Sequence, residues 1–181
     1  MLQSCSGQNI AVNVTRAVSR LKTISVTLDS IPPPGTDCAS LVRKDFNSVY
    51  HPMEGEYNFT QKFGYQVQIG SKMIPEYLVR SPAQAFYELR KALGIASSPF
   101  HSISIRADQY LDTHYIMGID TEKILEAGFT GINTRAGDLM TFRLKGANRN
   151  ITTPLIPAKI YITFQSDQIL EIRDSGATVT D

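Results

Sequence analysis

The sequence predicts an all-β domain, a sandwich or barrel of about eight or nine short strands carrying a single amphipathic helix. Three observations predict it. Apolar residues alternate with polar ones in stretch after stretch, the period of a strand with one face on a core and one on water. The alternating positions are rich in Val, Ile, Phe and Tyr, which suit a pleated, half-buried surface. Only one segment adopts helical spacing instead.

The elements follow in chain order. Ile10, Val12 and Val14 alternate with Ala11, Asn13 and Thr15, and Ile24, Val26 and Leu28 alternate with Thr23, Ser25 and Thr27. A long irregular stretch, about residues 30–60, then interrupts the pattern. Its Ile31-Pro32-Pro33-Pro34-Gly35 run cannot continue a ladder, because three successive residues lack the donor N–H. Phe63, Tyr65, Val67 and Ile69 make the next strand, closed by Gly70-Ser71. Ser81-Pro82-Ala83-Gln84 reads as a helix start, with Ser81 at the N-cap, Pro82 at the first helical position and Gln84 reaching back. Ala85, Phe86, Leu89, Ala92 and Leu93 then recur at helical spacing until Gly94 stops the helix, so residues 81–94 form the amphipathic helix. Strands are expected around Ile103 and Ile105, more weakly from Tyr110 to Met117, and again at Met140, Phe142 and Leu144. Between these, Thr121 to Ala127 is expected to hold a short helical turn. Ile160, Ile162 and Phe164, then Leu170 and Ile172, and a short terminal strand from Ala177 to Thr180 complete the pattern. The intervening Asp174-Ser175-Gly176 is a tight turn.

At 181 residues and 20.1 kDa the chain suits one domain, and no internal repeat, linker or charge block divides it. A formal net charge of +1 argues against a basic footprint for nucleic acid or anionic lipid across the chain as a whole. No apolar run approaches the ~20 residues of a bilayer-spanning helix, and Met1 to Gly7 lacks the basic-then-apolar pattern of a secretory signal. A soluble, non-secreted protein with Cys5 and Cys38 as free thiols is the expectation.

Catalytic constellations are hard to find. His51, His101 and His114 are scattered without ligand spacing, and neither cysteine has a C-x-x-C partner. There is no G-x-S-x-G nucleophile turn, and Gly128-Phe129-Thr130-Gly131 lacks the lysine of a phosphate loop. Asp120 and Glu122 are an acid pair, but Asp120-Thr121-Glu122 also fits a helix N-terminus, where acidic side chains meet the dipole. Arg16, Arg20 and Lys22 cluster, as do Arg143, Lys145 and Arg149, yet Lys22 and Arg143 fall on the polar phase of their strands, where charge solvates a face. No enzyme activity, cofactor or metal is expected.

Three stretches have no such generic explanation: Gly118-Ile119-Asp120-Thr121-Glu122-Lys123, the Gly-rich run Gly128 to Leu139, and the ending Ile169-Leu170-Glu171-Ile172-Arg173-Asp174-Ser175-Gly176. Taken in this order, together with Pro75-Glu76-Tyr77 and the helix after Arg80-Ser81, they resemble the C-terminal part of double jelly-roll major capsid proteins of the Polinton (Maverick), adintovirus and virophage type. The resemblance covers roughly the second half of the chain well and the first third poorly. It implies an eight-stranded jelly-roll β-sandwich with long inter-strand loops, the one spanning about 30–60 forming trimer contacts or an exterior tower. It further implies a structural virion protein that assembles with copies of itself, and with other capsid proteins, into homotrimeric, pseudo-hexameric capsomers, and that sits in the capsid after assembly in the host cell. A full capsid protein of this kind carries two successive jelly rolls, whereas this length holds one. The chain therefore reads either as the second jelly roll of a longer protein or as a single-jelly-roll relative.

On that reading the candidate subunit-interface residues are Phe46, Tyr50 and Tyr57 in the long loop, with Phe129 and Arg135 in the Gly-rich run. Each has an intramolecular alternative: the aromatics pin their loops to the domain's own sandwich, and Arg135 is a buried organiser donating to loop carbonyls. Two rival functions are a lectin-like sandwich that binds glycans or a receptor through its end loops, and a small cupin-like metalloenzyme.

Overall fold

The computed structural model describes residues 2–4, 9–29, 64–94, 103–106, 109–110, 114–122, 131–135, 139–145, 159–174 and 176–180. Ten strands and one α-helix lie among them: β1 (Leu2–Ser4), β2 (Asn9–Val14), β3 (Leu21–Asp29), β4 (Gly64–Ile69), β5 (Lys72–Val79), α1 (Pro82–Ala92), β6 (Met117–Asp120), β7 (Met140–Lys145), β8 (Lys159–Ser166), β9 (Ile169–Arg173) and β10 (Gly176–Thr180). The fold is all-β, with every strand pair antiparallel.

Two four-stranded sheets run in the orders β1-β8-β3-β6 and β2-β7-β4-β5, and β9 and β10 form a separate two-stranded sheet. The alternation read from the sequence sets which face of each strand is inward. In the second sheet Val12, Phe142 and Val67 stand in one cross-strand row, flanked by rows through Ile10, Leu144 and Tyr65 and through Val14, Met140 and Ile69. In the first sheet Ile24 lies between Ile119 and Phe164, and Val26 between Met117 and Ile162. All of these but Phe164 are buried, and Phe164 packs against the same cluster. Burying each such large side chain contributes about 1.5–3 kcal/mol, which is why register is strict: a one-residue slip turns the whole row to water.

Helix α1 begins and ends as its sequence dictates. Ser81 Oγ accepts the Gln84 N–H at 3.1 Å, and Gly94 takes a positive φ of 68° while its N–H reaches Lys91 O at 2.9 Å. Gln84 Oε1 reaches back to the Arg80 N–H at 3.3 Å, one residue before the N-cap. The helix lies on the outer face of β6. Ala85, Leu89 and Ala92 are buried, and Gly118 is what permits the approach, because a Cβ there would meet Leu89 Cα at 2.7 Å.

Several expectations are corrected. Residues 103–106 form no strand; Ile105 instead tucks into the core from an irregular segment. The strand expected from Tyr110 begins only at Met117, because Tyr110 and Tyr115 spend their rings on the core beneath α1 rather than on a ladder. Thr121 and Glu122 are not helical, and residues 123–127 lie outside the described residues. Strands β1 and β5 were not expected. Pro75 breaks the alternation of β5, which sits at a sheet edge where a missing N–H is tolerated. Its ladder is irregular opposite Gln66, whose buried side-chain amide donates to Pro75 O at 2.7 Å and Glu76 O at 3.2 Å. Finally, Leu170 and Ile172, expected to cover a core, are exposed.

Candidate functional site

The Gly-rich run and the first basic cluster meet at one end of the sandwich, around residues 18–22. Leu21 and Ile132 exchange both backbone hydrogen bonds at 2.9 Å. Gly131 allows this closeness, since a Cβ there would stand 2.6 Å from the Arg20 carbonyl carbon and 2.7 Å from Leu21 O. Thr134 completes the clamp. Its Oγ1 accepts the Val18 N–H at 2.8 Å and donates to Val18 O at 3.0 Å, while its own N–H reaches Val18 O at 2.9 Å. On the other flank the Thr121 hydroxyl lies 2.6 Å from Leu21 O and 2.8 Å from Lys22 O, its single proton shared between them.

Charge is balanced within the same cluster. Lys22 Nζ lies 2.9 Å from Glu122 Oε1 and 3.5 Å from Asp167 Oδ2. The hydrogen bond to Glu122 raises the Lys22 pKa above 10.5; partial burial opposes this, and the charges of Glu122 and Asp167 reinforce it. The stability this pairing contributes is complete below pH 10.5 and lost as pH rises through the folded value. Asp120 is shifted the other way for its class: burial lifts its carboxyl above 3.8, although it accepts the Glu122 N–H at 2.9 Å. With its partner Glu122 committed to Lys22, this acid pair works as a turn and an ion pair.

A second group of titratable side chains lies under α1. Burial raises the phenol pKa values of Tyr65, Tyr110 and Tyr115. Tyr65 OH donates to Gly118 O at 3.3 Å and Tyr110 OH to Ile116 O at 2.9 Å, and the buried Glu88 carboxylate pairs with Lys91 Nζ at 2.7 Å. The phenols are buried, and Glu88 is held in its ion pair with Lys91.

Of the predicted interface residues, Phe46, Tyr50, Tyr57 and Phe129 lie outside the described residues, as do His51, His101, Cys5 and Cys38. Arg135 is exposed, and its N–H is held by Asn133 Oδ1 at 2.8 Å. It is therefore not buried. Thr134, one residue earlier, clamps the loop onto Val18, and its signal in the sequence is only a hydroxyl beside a Gly-rich turn. His114 and Arg143 are exposed, and among the described residues no three His, Cys, Asp or Glu side chains gather as a metal-binding group. No described helix is long and apolar enough to cross a membrane.

The most unusual surface is the terminal hairpin. In β9 and β10, Leu170 stands opposite Val179 and Ile172 opposite Ala177, so one face is wholly apolar. Leu170 is 58 %, Ile172 75 % and Val179 62 % exposed. The opposite face is mixed: it carries Ile169, Thr178 and the Glu171–Arg173 pair at 2.7 Å. The two strands close on each other with Gly176 opposite Arg173.

No protein-family profile, no curated protein and no solved structure matches this chain.

Proposed function

We propose that the chain is a jelly-roll shell protein, the domain of a viral or virus-derived major capsid protein that assembles with copies of itself and performs no catalysis. The observation that carries this reading is the strand order. In the first eight strands β1 pairs with β8, β2 with β7, β3 with β6 and β4 with β5, and successive pairs alternate between the two sheets. Folding an eight-stranded antiparallel ribbon in half and wrapping it produces this order, that of two interlocked Greek keys.

The same order hosts sugar-binding and metal-binding domains, so the surface has to discriminate among them. The exposed apolar face of β9 and β10 supports protein–protein contact, because exposed apolar patches on a soluble domain mark interaction surfaces. A sugar site would call for polar side chains placed to orient hydroxyls. Shell proteins draw their strength from repeated symmetric contacts between shaped apolar surfaces. In this reading the chain forms closed rings of three, resides in the virion, and meets its neighbours through loop ends and the terminal hairpin.

Light scattering after size-exclusion chromatography, over a range of protein concentrations, tests the proposal. The expected mass is near three times 20.1 kDa, or larger. A monomer at every concentration would overturn self-assembly by this chain and send the question to a glycan array.

A further inference from the structure

The two sheets turn unlike faces to solvent. In the first sheet the outward rows of β3 and β8 pair Thr23 with Gln165, Ser25 with Thr163 and Thr27 with Tyr161, and none of the six is charged. In the second sheet Ile10, Val12 and Val14 point inward, which leaves Asn9, Ala11 and Asn13 of β2 facing out, opposite Lys145, Arg143 and Thr141 of β7. Of these, all but Thr141 are exposed. Strands β2, β4 and β7 contain no carboxylate. The one acid in the strands of this sheet, Glu76, stands on β5, two strands away from β7.

Arg143 and Lys145 are unspent. Among the described residues neither side chain has an ion-pair partner or a hydrogen bond. Two residues apart on one strand, they rise from the same face with their roots about 7 Å apart. Their neighbours leave them room, since Ala11 stands beside Arg143 and Gly64 beside Lys145. The Gln66 amide, also beside Arg143, is committed to Pro75 O and Glu76 O. Charge that only solvates a surface intersperses both signs. Two like charges side by side, with no acid between them, raise a positive potential over the face.

We propose that this face of the second sheet docks the sugar-phosphate backbone of double-stranded nucleic acid without reading its sequence. The residue types are those that hold phosphate oxygens: a guanidinium and an ammonium group, with amide and hydroxyl donors beside them. Thr141 gives its proton to Asn13 Oδ1 at 3.0 Å, and no described group accepts from Asn13 Nδ2, so an amide donor stands in the row next to Arg143. The spacing of the two cations is comparable to that of neighbouring phosphates along one strand.

Other occupants lack their determinants here. A protein partner calls for an apolar centre within the patch, and Ala11 is the only apolar residue among the six outward positions of β2 and β7. A single strand calls for aromatic rings on which bases stack, and those six positions hold none. Base reading calls for a helix or ribbon that enters a groove, whereas a flat sheet face stays on the backbone. The contact belongs to one copy, so it stands whether or not the chain self-assembles. It is weak and salt-sensitive. Two phosphates neutralised give a log–log salt slope of about −1.8, a roughly tenfold fall in affinity between 50 and 200 mM salt.

The test follows the fluorescence anisotropy of a short labelled DNA duplex titrated with the full chain, between about 50 and 200 mM salt. The parent is expected to bind with that slope, and equally well to a duplex of scrambled sequence. Arg143→Gln combined with Lys145→Gln should lose about tenfold or more in affinity at the lowest salt and flatten the slope by about 1.8. Arg16→Gln combined with Arg80→Gln removes the same charge from exposed positions elsewhere and should stay within about twofold of the parent. Ala11→Glu sets a carboxylate opposite Arg143 and is an independent second variant, expected to lose several-fold. Melting curves coincident with the parent show that the variants are folded. No binding by the parent at the lowest salt, undiminished binding without Arg143 and Lys145, or an equal loss in the charge-matched control would each overturn the proposal. So would tighter binding of a single strand of the same length, or a heparin oligosaccharide held through Arg143 and Lys145 where the duplex is not.

Discussion

Thr134 and Arg135 are neighbours with opposite duties. The Thr134 hydroxyl is the side-chain acceptor for the Val18 N–H, and both residues are buried. Thr134→Val keeps the volume and removes that acceptor, leaving a buried donor unpaired at a cost of about 1–3 kcal/mol. Arg135→Ala, at an exposed position, is expected to stay within about 0.5 kcal/mol of the parent. Urea unfolding checks both, and a Thr134→Val curve coincident with the parent would contradict the clamp. Asp120 supplies the pH-dependent counterpart. Burial holds its carboxyl above 3.8, with the Glu122 N–H and Lys91 opposing and the charges of Glu122 and Glu88 adding to the shift. The folded chain therefore keeps this proton where the unfolded chain has released it, so stability linked to Asp120 is present below pH 3.8 and lost as pH rises through the folded value. Asp120→Asn retains an oxygen for the Glu122 N–H and abolishes the titration. It should be more stable than the parent at pH 7, with the gain vanishing below pH 3.8. An equal difference at both pH values would show that charge burial is not the cause.

The helix–sheet contact turns on Gly118. A methyl group there meets Leu89 Cα at 2.7 Å and Ala92 Cβ at 3.3 Å, and the first of these is backbone that cannot swing aside. Gly118→Ala must push α1 off β6, with an expected loss of about 1–3 kcal/mol, seen as a melting temperature several degrees lower. An unchanged melt would mean that the helix is free to ride outward. Among the elements, those with an uninterrupted local signal were legible in advance. Strands β2, β3, β4, β7 and β8 declared themselves by alternation, and α1 by Ser81, Pro82 and Gly94. Strand β5 was hidden because Pro75 and its irregular ladder erase the period, and β1 because three residues are too few to show one. Residues 103–106 alternate without being a strand, since Ile105 is recruited to the core from an irregular segment. The hairpin of β9 and β10 shows the limit of periodicity most clearly. Alternation reveals that one face is apolar, not whether the chain supplies anything to cover it.

At the scale of the whole molecule, every one of the four pairings that define the sandwich, apart from β4 with β5, joins segments far apart in sequence. Leu2 sits opposite Tyr161, and Asn9 opposite Lys145. Such contacts pay their loop-closure entropy before any burial rewards it, so they form together or not at all. Strand β8 is central to this, lying between β1 and β3 and contributing Ile160 and Ile162 to the core. The terminal hairpin contributes none of the buried core residues. Two truncations should therefore behave in opposite ways. A chain ending at Gln168 loses the hairpin and keeps Asp167 on Arg20 and Lys22, so it should retain near-ultraviolet circular dichroism and a single cooperative urea transition. A chain ending at residue 158 loses β8, strands β1 from its sheet and opens the row through Val26 and Met117 to water. It should show neither the near-ultraviolet signal nor a cooperative transition. Cooperative unfolding of the shorter chain would mean that the two sheets do not share one core. Loss of structure in the longer one would mean that the hairpin is part of the sandwich rather than an arm extended from it.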